Sequence, residues 1–376
     1  MQSIKGKNLP EKHGTTSGAP ASEIPASGHA DAATRSADGI ALASEAPVPP
    51  TRKTVQRRLT TVRELVRMIL PIAIILIAYG MTTGMPNIYP TGYVEEYYPL
   101  FLVVSFVTYG ASVVIACFVA PLRRIIVRYA PLIAAMFATI EVVDVLSLKT
   151  GLLLLPFAPS PDRVLQALPK NSMQYLQNLG ASLLLLGEGA LAGLVSGFLT
   201  GLFMGWSKIA NYWFAPLLKF IGPVPSAAWL PIAVALMPSA HAAGVLLIAV
   251  AIWFPLSLVL SSGIRSTDKR KIEAARVMGA SEGYILFHVA LPSAVPDIFT
   301  ALFMGLSSSF GALIVSEQLG VKAGLGWYIN WASSWGEYYK VYATVGIFIL
   351  LFYVIISLLF KIRDHVMKWQ KSVVRW

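Results

Sequence analysis

An all-α integral membrane protein, a helical bundle of about eight transmembrane helices, is the fold class this sequence predicts. Three observations predict it. Of its 376 residues, 56% are hydrophobic and only 13% are charged, whereas a soluble domain carries about 25% charged residues. Apolar runs near twenty residues long recur along the chain, the length at which a helix crosses a bilayer. The lysines and arginines gather in alternate connections, the bias that orients membrane proteins. The net charge of +11 therefore sets topology. A nucleic-acid partner would need a basic face on a soluble fold, which is not the pattern here.

The elements follow in chain order. The first fifty residues are rich in Ala, Ser, Gly, Pro and Thr without hydrophobic periodicity. Such a segment buries too little apolar surface to offset its ordering entropy, which predicts a disordered cytoplasmic tail over residues 1–60. The basic stretch TRKTVQRRLTTVRELVR, ending at Arg67, reads as an anchor on anionic membrane lipid. Candidate spans follow at about 66–84, 98–120, 127–147, 181–206, 213–237, 242–263, 293–317 and 341–360. With the N-terminus inside, the inner connections hold Arg63, Arg67, Arg123, Arg124, Arg128, Lys208, the group from Arg265 to Arg276, and the segment from Lys361 to Arg375. The outer ones keep only Lys149, Arg163, Lys170, Lys322 and Lys340, so both termini are expected to be cytoplasmic. The outer link APSPDRVLQALPKNSMQYLQNLG predicts a turn and then a short amphipathic helix at the interface.

Within the fourth span Gly189, Gly193, Gly197, Gly201 and Gly205 recur every four residues. That spacing lays one small-residue stripe along a helix, for close helix packing or for a moving seam. Glu188 begins the stripe; inside a span it must face protein or water, and at the outer boundary it costs little. Four prolines (Pro216, Pro223, Pro225 and Pro231) break the fifth span around Trp229. Irregular backbone at that depth belongs inside the protein or beside a cavity. In the seventh span Ser307, Ser308, Ser309 and Ser316 precede Glu317. Serines in a span bond back to their own helix or, for one of three in a row, face an aqueous path. Glu188, Trp229, Ser307, Ser308, Ser309 and Glu317 are therefore the candidates for a translocation path. Cys117 has no second cysteine to pair with and reads as a small buried hydrophobe. No pair among the five histidines has metal-ligand spacing, no nucleophile-base pattern occurs, and there is no GxxxxGK[ST] loop. Neither a metal, a cofactor nor enzymatic chemistry is expected of the chain itself.

Between the sixth and seventh spans, in a cytoplasmic loop over 265–292, stands EAARVMGASEGYILFHVALP, residues 273–292. It predicts two short helices bent at Gly279, which tolerates a positive φ, and closed by Pro292 at the first turn of the next helix. Ala274, Ala275, Val277 and Met278 can pack one face while Glu273, Arg276 and Glu282 stay in water.

These residues match the EAA motif of bacterial ABC-importer permeases: Glu273, Ala274 and Ala275, then Gly279, then Val289, Leu291 and Pro292 at the motif's spacing. The segments APSPDRVLQAL and VPSAAWLPIAVAL, Asp268 before the motif, and SEQLG with GLGWYI after it resemble the nitrate, sulfonate and taurine branch. The resemblance covers about 129–376. It implies a type I permease core of six helices over 126–376, with 61–125 as an extra N-terminal transmembrane pair. It also implies that the EAA loop is a coupling helix docking in a groove of a separate ATPase, which holds the ATP-Mg. By that resemblance Glu273 contacts the ATPase, Ala274 and Ala275 fill its groove and Gly279 sets the bend. A second permease copy (homodimer or heterodimer), a solute-binding protein and a bacterial plasma-membrane location come with it. The cargo implied is a sulfonate, taurine or nitrate-like anion, or a small organic nutrient. The chain departs from the branch where Leu185 and Phe303 stand at positions that often carry arginine, and where Glu188 is unusual. Fewer cations within the membrane turn the expectation towards a neutral or zwitterionic solute. A secondary transporter or channel is the rival of another class; it would often show repeats and coupling acids, and would leave the EAA loop without a purpose.

Overall fold

The computed structural model describes residues 52–88 and 95–368. Most of the expected tail over 1–60, and the basic residues beyond 368, lie outside the described residues. Helix α1 spans Arg52–Gly84, so the basic stretch is helical and the tail cannot reach residue 60. Next come α2 (Tyr97–Phe118) and α3 (Ala120–Asp144), the latter extended by a wider turn over Val145–Lys149. They are followed by α4 (Pro161–Lys170) and α5 (Ser172–Trp206). The predicted interfacial helix is thus α4 alone, because the QYLQN segment already belongs to the long α5. The fifth span is divided: α6 (Lys208–Ile221), a single turn at Ser226–Trp229 and α7 (Leu230–Leu236) meet at a 90° bend. Then α8 (Ala240–Arg265) leads into an elbow of α9 (Lys269–Val277), α10 (Glu282–Ile285) and α11 (Leu291–Ser293). The chain closes with α12 (Val295–Leu319), α13 (Leu325–Ser334) and α14 (Tyr338–Val366). Among the described residues there is no strand, and seven helices can cross a membrane, or eight with the bent pair taken as one span.

Helices α5, α8 and α12 form the centre. Leu185, Leu247, Ile248, Ile252, Leu313 and Phe348 are buried there. The glycine stripe of α5 lies directly on α8. A methyl group at Gly189 would come within 2.5 Å of Ile248, at Gly193 within 2.6 Å of the Ala249 carbonyl oxygen, and at Gly205 within 2.7 Å of Ile264. Lipid tails are as apolar as these side chains, so the two helices adhere through close packing and not through exclusion of water. At the elbow end Arg265 donates to the Met204 carbonyl, a cation at the C-terminus of α5 where the helix dipole favours it. At the other end His241 Nε2 and Glu188 Oε2 meet at 2.7 Å, tying the start of α8 to α5.

The third span, grouped with the core in the sequence reading, packs with the first two. Ile75, Tyr98, Leu102 and Phe137 share one cluster across α1, α2 and α3. Asp162 of α4 joins this group to the rest by accepting 2.7 Å bonds from the Tyr97 and Tyr98 amides, two of the unpaired donors at the start of α2. Beside it Lys149 is buried with Glu95 at 3.1 Å and also donates to the Thr82 and Met85 carbonyls. Tyr98 donates to Glu141, and Asp144 is wholly enclosed nearby. Burial on this scale is tolerable only because the ammonium balances carboxylates in a medium of low polarity. Cys117, expected inside, is exposed on α2; its thiol meets only the Val113 carbonyl of its own helix.

Candidate functional site

The elbow between α8 and α12 is held by local bonds. Asp268 caps α9 by accepting from the Arg270 amide. Its far end closes in a Schellman motif: the Ala280 amide donates to the Ala275 carbonyl and the Gly279 amide to that of Arg276. This geometry puts Gly279 at φ +83°, where a side chain is strained although nothing crowds the site. Ser281 then caps α10 by accepting from the Tyr284 amide. Arg276 spans the bend by donating from Nε and Nη2 to the two Glu282 carboxylate oxygens, at 3.0 and 3.3 Å.

The elbow's faces differ from the sequence reading. Of the four apolar positions assigned to one inward face, only Ala275 is buried; Ala274 is exposed, and Val277 and Met278 are 89% and 80% exposed. With so short a helix only one small residue reaches the bundle, and the C-terminal turn projects away from it. Tyr284 and Phe287 of the elbow are exposed as well. Glu273 is exposed and lines a recess of about 380 Å³ with Trp206, Arg265, Arg276 and Glu282. Val289, Leu291 and Pro292 lie where the elbow rejoins the bundle, and Leu291 packs with Leu202, Leu260 and Ile264.

A second feature is a cavity of about 360 Å³ at the break between α6 and α7. Gly222, Ser226 and Phe254 line it from one side, Met304 and Ser308 from α12. No charged side chain is among its walls. A methyl group at Gly222 would overlap the Phe254 ring at 2.1 Å and come within 2.8 Å of the Leu218 carbonyl oxygen, so a larger residue there displaces the ring that lines the cavity. Of the six path candidates the structure brings only Ser308 to this cavity. Ser307 bonds back to the Phe303 carbonyl, and Ser309 is buried against Leu306. Trp229 packs against the central cluster, and Glu188, midway along α5, stays with His241 at the start of α8. Glu317 is fully buried and accepts from the Gly326 amide at 2.7 Å, while Asn178 and Ser182 accept from Gly324 and Leu325. All three side chains therefore cap α13 and fasten it to α5 and α12. Gly222 among the prolines is the signal that could have pointed to the cavity wall; nothing local announces Phe254 or His241.

The geometry is thus a membrane bundle with an uncharged cavity beside α12 and a jointed elbow tipped with apolar side chains. Known proteins resemble the chain over this region. Residues 193–368 match the family described as the binding-protein-dependent transport system inner membrane component. The taurine transport system permease protein TauC of Escherichia coli (strain K12) is 28% identical over 224 residues, 58% of this chain and 82% of that protein. The putative aliphatic sulfonates transport permease protein SsuC of Bacillus subtilis (strain 168) is 28% identical over 184 residues, covering 49% and 67%. The nitrate import permease protein NrtB of Synechocystis sp. is 28% identical over 212 residues, covering 54% and 75%. The match and these relatives support a permease subunit of an ABC importer, of the branch they represent. Its apolar helices and this match support a multi-pass inner membrane protein, and the matched family implies work with an ATPase and a solute-binding protein.

Proposed function

We propose that this chain forms half of the path of a bacterial importer for a small zwitterionic or uncharged organic solute, with both termini cytoplasmic. A second copy of the chain completes the path, and the elbow takes up work from the ATPase, which holds the ATP-Mg. The observation that carries the reading is the apolar tip, Val277 and Met278, raised on a rigid Schellman joint from a loop otherwise rich in charge. Exposed apolar side chains on so polar a loop are what a partner groove buries. Ala274 and Glu273 flank that contact. Val289, Leu291 and Pro292 carry the displacement into α12. Swinging the bundle from 1:99 to 99:1 between its two orientations takes about 5.5 kcal/mol of differential binding, which a loose elbow would dissipate.

The uncharged cavity supports the choice of solute, because an inorganic anion held there would have no cation to meet it. Taurine, named for one relative, is itself a zwitterion. Liposomes holding the purified chain with its ATPase and binding protein are expected to accumulate solute when ATP is supplied, and liposomes with the chain alone to accumulate none. Uptake at full rate by the chain alone would refute the coupling. For the path, Ser308→Cys is expected to react with a water-soluble thiol reagent, and Ser309→Cys to be inert; equal labelling of the two would remove Ser308 from the path.

A further inference from the structure

We infer that the seam between α1 and α3 holds an anionic phospholipid, its phosphate among four arginines and an acyl chain lying further along the same seam. The headgroup end is a cavity of about 670 Å³ lined by Arg67 of α1 and by Arg123, Arg124 and Arg128 of α3. The α3 residues fall within the first turns of the helix at spacings that bring them to one side. Glu64 is the only acid in the lining and pairs with Arg123 at 2.5 Å. Four positive charges less one negative leave a surplus of three. Among the described residues Arg67 and Arg124 have no ion-pair partner, and Arg128 only overlies the Tyr129 ring at 5.8 Å. Guanidinium groups free of carboxylates present paired donors that match phosphate oxygens.

The same two helices carry a second cavity, of about 430 Å³, with almost wholly apolar walls. Ile74, Ile77 and Met81 face it from α1, and Ala138, Val142 and Leu146 from the α3 side; Glu141, whose carboxylate accepts from Tyr98, also borders it. Arg128 and Ala138 are ten residues apart, which is about 15 Å along a helix. A basic recess and a greasy groove in one seam match the two ends of a phospholipid, whereas a free phosphate would use only the first. Basic pockets between transmembrane helices on the cytoplasmic side are where anionic headgroups bind. That side is also where the topology proposed above puts this end of α1 and α3.

The test uses the full-length chain purified in detergent, with native mass spectrometry to read bound lipid and thermal unfolding to read stability. Phosphatidylglycerol is expected to be retained and to raise the unfolding midpoint; phosphatidylcholine and inorganic phosphate are expected to do neither. The triple variant Arg67→Gln, Arg124→Gln, Arg128→Gln should bind phosphatidylglycerol on the order of a hundredfold more weakly. Its lipid-free midpoint should be unchanged, since these exposed side chains hold no ion pair. Equal retention by the variant, or stabilisation by inorganic phosphate that matches the lipid's, overturns the inference.

Discussion

Gly193→Leu is expected to abolish a stable bundle. A methyl group at this position would already stand 2.6 Å from the Ala249 carbonyl oxygen and 3.1 Å from its Cα. Those are backbone atoms in the middle of α8 and cannot rotate aside, so the helices must separate. Separation at one rung also loosens Gly189 against Ile248 and Gly197 against Leu256, because all lie on one face. Forcing volume into a packed core costs roughly 1–3 kcal/mol even where side chains can move; here the cost is expected at the top of that range or beyond. The control is Gly187→Ala on the same helix, where nothing lies within 4 Å. It should be neutral, or stabilising by about 0.5–1 kcal/mol through helix propensity. Unfolding of the detergent-solubilised protein decides the matter. A Gly193→Leu midpoint equal to that of Gly187→Ala would mean that α5 and α8 do not touch in this way.

The second large effect belongs to the elbow. Val277→Asp combined with Met278→Asp is expected to leave the bundle folded, since neither side chain packs inside it, yet to strip the ATPase from the purified complex. Truncating the central residues of an interface costs about 2 kcal/mol or more each, and a charge facing an apolar groove adds desolvation. A loss of at least about thirtyfold in affinity follows from the smaller figure alone. Gly279→Val tests the joint without touching the tip. The site is open, so the penalty is the left-handed backbone itself, about 1–2 kcal/mol. Hydrolysis is then expected to continue while uptake falls. Wild-type recovery of the ATPase by the double aspartate variant would exclude this tip as the contact.

Much of this architecture is legible in the chain because the signals are local. Apolar runs reveal the spans, the four-residue glycine spacing reveals a helix face, and Gly279 between two short helical stretches reveals the bend. What escaped depends on partners distant in sequence. Glu317 resembles a pathway acid until the Gly326 amide is seen folded back onto it. Asn178 resembles part of a polar link for the same reason, and Ser182 gives no signal at all: their work is done at Gly324 and Leu325, more than a hundred residues on. Ala275 and Met278 lie within four residues of each other, but a helix as short as α9 has too few turns for periodicity to say which of them faces the bundle. Nor does the composition of the third span say that it packs on the first two.

The glycine ladder has a mechanical consequence. Most helix neighbours are cushioned by leucine or phenylalanine side chains, whose rotamers absorb small displacements. Between α5 and α8 that upholstery is one-sided: the bare α5 backbone lies against Ile248, Leu256, Leu260 and Ile264 of α8, and at Gly193 against the Ala249 main chain itself. The pair must flex as one beam, pinned by Arg265 to the Met204 carbonyl at one end and by His241 to Glu188 at the other. A tilt applied at the elbow therefore reaches Glu188 and His241, about 36 Å away along α8, with little lost to compliance on the way.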